Sequence, residues 1–141
     1  MDGGANDAGL ACSLMRRVQI ASATGLAAKA GAAVADAGGN AIDAAIGASI
    51  ASMCTEIGII APAGSGFVTV WPRDGDPIVI DGYAEMPGRG LPEDRFGGGD
   101  RRVEMSYGGH TETIVGWGSV ATPGAFAAFA EAHERYGSIE W

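Results

Sequence analysis

The octapeptide Gly38-Gly39-Asn40-Ala41-Ile42-Asp43-Ala44-Ala45 constrains this chain more than any other stretch. Glycine accepts the left-handed conformation that ends a helix, so Gly38-Gly39 is a stop signal. Asn40 can accept the free amide of Asp43, and Asp43 can answer to the backbone of Asn40, which is a capping box. Asp43 also puts a negative charge in the first turn, where the helix dipole favours it. The octapeptide therefore encodes a tight hairpin of two helices. The first is capped by Thr24 and runs to about Ala37. Its alanines (Ala27, Ala28, Ala30, Ala32, Ala33) let another layer approach closely. The second runs from Ala41 to about Cys54. It is apolar on nearly every face, so burial on most sides is expected, Cys54 included. Val18 to Ser22 reads as a short strand ahead of the hairpin.

Downstream, Pro62 to Gly66 is a turn-rich bend. Phe67–Trp71 and Pro77–Asp81 read as strands joined at Asp74-Gly75, a dipeptide suited to the positive φ of tight hairpins. Gly82 to Gly109 is the least ordered part by composition. Within it, Gly97-Gly98-Gly99 with Asp100, Arg101 and Arg102 reads as a mobile insertion. Thr113 to Val115 reads as a short strand. Thr122 then caps a helix with Pro123 at its first position, where a missing amide costs nothing. That helix presents Phe126, Phe129 and Ala130 on one face and ends before Gly137. The class is α/β in the α+β sense: a helical hairpin followed by a β-hairpin.

Charge and spacing exclude several functions. A net charge of −8 and a pI near 4.5 argue against nucleic acid, which needs a basic surface. Lys29, Asp36 and Asp43 interrupt the alanine-rich stretch, so no membrane span is expected. Residues 1–17 read as a flexible tail. Arg16-Arg17 only loosely matches an export signal, which leaves the cytoplasm as the default compartment. Cys12 and Cys54 lie in no CxxC pair, and His110 and His133 are isolated, so neither a metal site nor a cofactor is expected. Whether the two thiols meet is left open. Gly64-Ser65-Gly66 fits neither a phosphate-binding loop nor a nucleophile elbow. Asp81 and Glu85, just past a strand end, form a candidate carboxylate pair.

The order of these features resembles the start of the large subunit of γ-glutamyltransferases (γ-glutamyltranspeptidases). The resemblance rests on Gly38–Ala45, Gly64-Ser65-Gly66-Phe67, Ile80-Asp81, Thr122-Pro123-Gly124 and Tyr136-Gly137. It runs from about Val18 to Trp141, so residues 18–141 are expected to form an incomplete portion of such a domain. It implies part of an N-terminal-nucleophile (Ntn) hydrolase αββα sandwich and an autoprocessing enzyme of glutathione metabolism. There the threonine exposed at the start of the small subunit attacks a γ-glutamyl amide, with its own amine as base. The implied partners are a small γ-glutamyl or related amide and the remaining large- and small-subunit segments.

Two departures matter. No threonine of this chain lies in the family's Thr-Thr-His context, so no catalytic residue is expected here, and the chain alone is expected to be inactive. The family also carries an arginine after the β-hairpin to grip the substrate carboxylate. Here that place falls on Tyr83 or Ala84, and neither can copy a bidentate arginine. Tyr83, Glu85 and Arg89 are therefore the candidate substrate-binding residues, and a divergent amidase or acylase fits. The alternative is a non-catalytic binding or partner subunit that complements a separate catalytic chain.

Overall fold

The structure is a computed structural model that describes residues 18–56, 58–95, 98–106 and 108–141. The tail expected over residues 1–17, Cys12 with it, and Gly97 lie outside the described residues. The chain divides into two compact units, Met1–Ala61 with Ala132–Trp141, and Pro62–Glu131.

The first unit contains the helical hairpin, α1 (Gly25–Asp36) and α2 (Ala41–Thr55). Thr24 caps α1, its hydroxyl accepting from the Ala27 amide at 3.3 Å. The helix ends in a Schellman motif. Gly38, at φ 103°, donates to the Ala35 carbonyl, and Gly39 donates to Val34. The capping box at Asn40 and Asp43 forms as expected. Small residues set the approach of the two helices. A Cβ on Gly31 would meet the Ala44 carbonyl at 2.7 Å, and one on Gly47 would meet Val34 Cγ2 at 2.7 Å. Ala27, Ala44, Ile46, Ala48 and Met53 are buried. The expectation of burial on most sides, Cys54 included, is met on one flank only: Ala45, Cys54 and Thr55 are exposed. A hairpin covers one flank of each helix, and small apolar residues tolerate the other. Val18–Ser22 is not a strand; it runs without a ladder partner among the described residues.

In the second unit β1 (Gly66–Val70) and β2 (Ile78–Gly82) pair antiparallel, Val70 opposite Ile78 and Gly66 opposite Gly82. Alternation buries Val70 and Ile80 and leaves Phe67, Val79 and Tyr83 on the open face. The connection is longer than the tight turn expected from Asp74-Gly75. Pro77 has no amide to donate, so the ladder begins only at Ile78. A second hairpin, β3 (Asp100–Met105) with β4 (Thr111–Gly116), corrects the reading of Asp100–Arg102 as a mobile insertion. Arg102 donates across it to Glu112 at 2.7 Å, and in the turn the His110 ring lies 3.1 Å from Glu104, both contacts being exposed.

The last helix, α3 (Ala125–Tyr136), starts later than Pro123. Both backbone groups of Thr122 are bonded to Glu85, which holds Thr122 extended, and the Gly124 carbonyl accepts the first helical bond from Ala128. The buried stripe is Ala125, Ala128, Phe129 and Ala132, while Phe126 is 43% exposed. The i, i+3, i+4, i+7 pattern runs through three alanines and Phe129, so of the face expected from Phe126, Phe129 and Ala130 only Phe129 is buried.

Candidate functional site

In the second unit a groove of about 630 Å³ opens where β2 ends and α3 begins. Asp81, Tyr83 and Glu85 line one side, and Thr122, Pro123 and Gly124 the other. Local bonds shape each wall. Asp81 Oδ1 accepts from the Tyr83 amide at 2.8 Å, which turns the chain out of the strand. The Glu85 amide donates to the Thr122 carbonyl at 3.1 Å, and the Thr122 amide returns a bond of 2.7 Å. Gly124 is required by proximity: a Cβ there would lie 2.6 Å from the carbonyl oxygens of both Gly82 and Tyr83.

The three sequence-predicted site residues gather here in different ways. Tyr83 stacks on Phe67 with ring centroids 5.8 Å apart and planes 16° from parallel. Glu85 forms an ion pair with Arg89 four residues on, and both side chains are exposed. Arg89 thus reaches the groove only through Glu85. Thr122 and Gly124 were not among the expected site residues, although Thr122-Pro123-Gly124 was itself the available signal.

A second polar cluster, in the first unit, belongs to the fold. Asp43 Oδ2 accepts from the Asn40 amide (2.8 Å), the Ser138 amide (3.0 Å) and the Ser138 hydroxyl (2.8 Å). Asn40 Nδ2 donates to the Tyr136 carbonyl at 2.7 Å. His133 Nε2 donates to the Ile139 carbonyl at 2.8 Å and lies 3.6 Å from Asp43 Oδ1. Burial pushes the Asp43 carboxyl up. The bonds from Asn40 and Ser138 and the nearby His133 outweigh it and hold the group below its ordinary value. With a side chain 1% exposed, Asp43 joins the start of α2 to the end of α3. Among the described residues no group of three or more His, Cys, Asp or Glu could hold a metal ion, and no helix is long and apolar enough to cross a membrane.

The family model described as gamma-glutamyltranspeptidase matches residues 27–141. The chain belongs to the γ-glutamyltranspeptidase family. It is 33% identical over 114 residues to the acylase ACY 1 proenzyme of Pseudomonas sp. strain SE83, covering 81% of this chain and 20% of that protein. It is 31% identical over 116 residues to the glutathione hydrolase proenzyme of Pseudomonas aeruginosa, covering 81% of this chain and 19% of the relative. The chain thus spans about a fifth of the length of these curated relatives.

The same fold is found in solved members of the γ-glutamyltranspeptidase family. The Helicobacter pylori enzyme superposes with a TM-score of 0.64 at 23% identity, over 88% of this chain and 34% of the other. The Pseudomonas nitroreducens enzyme, complexed with L-DON, gives 0.59 at 25% identity, over 86% and 34%. The fold is therefore α+β, and its neighbours are the Ntn hydrolases that the resemblance implied. Within the γ-glutamyltranspeptidase pattern the octapeptide at Gly38–Ala45 and the Tyr136-Gly137 element are two halves of one structure, the Asp43 cluster. The Ile80-Asp81 and Thr122-Pro123-Gly124 elements are two sides of the groove.

Proposed function

We propose that this chain supplies the N-terminal part of an Ntn amidohydrolase or acyltransferase that acts on γ-glutamyl or related amides. The family match over residues 27–141 carries the reading, together with relatives named as acylase and glutathione hydrolase proenzymes. The nucleophile is the hydroxyl of an N-terminal threonine carried outside these 141 residues. Its attack on the amide carbon forms an ester and breaks the C–N bond. The threonine's own α-amine takes the hydroxyl proton and passes it to the departing nitrogen. Water or an acceptor amine then takes the acyl group and restores the threonine. Within this scheme the groove beside Tyr83, Glu85 and Arg89 holds the acyl portion of the substrate and keeps it oriented for attack.

The test uses the longest natural polypeptide that carries this segment, in its processed form. It should release para-nitroaniline from acyl para-nitroanilides, and replacing the threonine at the new chain start by alanine should abolish release. Full activity in that alanine variant would exclude the mechanism.

A further inference from the structure

We propose that the groove beside Tyr83 selects amides whose acyl group carries an aromatic ring and no carboxylate. The proposal rests on the hydrolase reading above and adds the substrate class.

The first observation is an aromatic wall with a free surface. Phe67 lies opposite Asp81 in the β1–β2 register, and Tyr83 is two residues further on. Tyr83 lies one residue past the end of β2, and its ring falls beside that of Phe67, diagonal to it across the hairpin. They stack, yet each remains 61% exposed. Phe67 backs the Tyr83 ring, and Tyr83 lines the groove. A ring on the substrate finds there an aromatic surface for offset stacking or edge-to-face contact.

The second observation is charge. Among the described residues, the charged groups lining the groove are the carboxylates of Asp81 and Glu85. The guanidinium of Arg89 is already engaged by Glu85. A carboxylate on the acyl group would meet Asp81 without a lining cation to offset it. Asp81 is held in place by its bond from the Tyr83 amide. An uncharged aryl group has no such conflict.

The test compares para-nitroanilides of phenylbutanoic, glutaric, γ-glutamic and acetic acids with the processed polypeptide. In each turnover water adds hydroxyl to the acyl carbon and a proton to the departing nitroaniline. The kcat/KM for phenylbutanoyl should exceed that for glutaryl and γ-glutamyl by roughly tenfold or more, as expected for burying an aryl group against one without a counter-ion. Tyr83→Ala should lower the phenylbutanoyl-to-acetyl ratio about tenfold, chiefly through KM, and Tyr83→Phe should keep it. Tyr83→Arg should move the preference towards glutaryl. Misfolding lowers every substrate together, so the ratio isolates the wall. A preference for γ-glutamyl or glutaryl, or an unchanged ratio in Tyr83→Ala, overturns the aryl assignment alone. Failure to hydrolyse any anilide, acetyl included, overturns the hydrolase reading and this assignment with it.

Discussion

Asp43 and Glu85 each follow a reversal of the chain, and they meet opposite fates. Asp43 is buried and takes three hydrogen bonds on one oxygen, from residues far apart in sequence. Glu85 stays exposed and holds only the neighbouring Arg89 through its side chain, while its backbone bridges to Thr122. The contrast separates two uses of a carboxylate. Asp43 Oδ2 is met by three donors inside the protein, while Oδ1 is buried without a hydrogen-bond partner and faces His133 Nε2 at 3.6 Å, so the charge serves to join parts of the fold. Where the charge sits at the mouth of a groove, it shapes what the groove accepts.

The sharpest way to break the comparison is to remove Asp43. Asp43→Ala strands the Asn40 and Ser138 donors and should cost about 3 kcal/mol in urea denaturation. A loss below about 1 kcal/mol would place Asp43 in the same class as Glu85. The linked pH effect has a definite sign. Because the folded group titrates below its ordinary 3.8, its contribution is complete above that value and is lost as pH falls through the lower folded one. Stability should therefore drop below about pH 4, and Asp43→Asn should flatten that acid limb.

Next in size is Gly124→Ala. Its Cβ would meet backbone oxygens of Gly82 and Tyr83 at 2.6 Å, and backbone cannot yield as a side-chain tip can. A loss of about 2 kcal/mol is expected, read from the thermal midpoint. Asn40→Ala follows. It removes a cap and the bond to Tyr136, and should cost about 1–2 kcal/mol. The smallest effect sharpens the contrast from the other side. Arg89→Ala breaks an exposed pair and should change stability by less than about 0.5 kcal/mol.

Local rules were enough to read the helical hairpin. The glycine stop, the Thr24 cap and the capping box all depend on residues within a few positions of one another, and all three form. What lay beyond local reading was long-range. Nothing near Asn40 indicates that its side chain reaches Tyr136, 96 residues away. The resemblance pointed to both elements but not to their contact. The start of α3 was misplaced for a similar reason: the distant strand-like bridge to Glu85 outweighs the local preference of Thr122-Pro123 for a helix start. In the α3 stripe, alanines carry the burial and give little hydrophobic contrast, so the larger Phe126 drew the assignment to the wrong face. The groove was half legible. Of the three residues proposed from spacing within the family pattern, Tyr83 and Glu85 line the groove and Arg89 does not, whereas the opposite wall requires knowing that Gly124 lies against Gly82.

The central proposal is that this segment belongs to an autoprocessing Ntn enzyme. Intact-mass analysis with N-terminal sequencing of the longest natural polypeptide carrying the segment tests it most directly. Two chains, the smaller headed by threonine, are the predicted result. A single uncut polypeptide with no threonine-headed product would contradict the account.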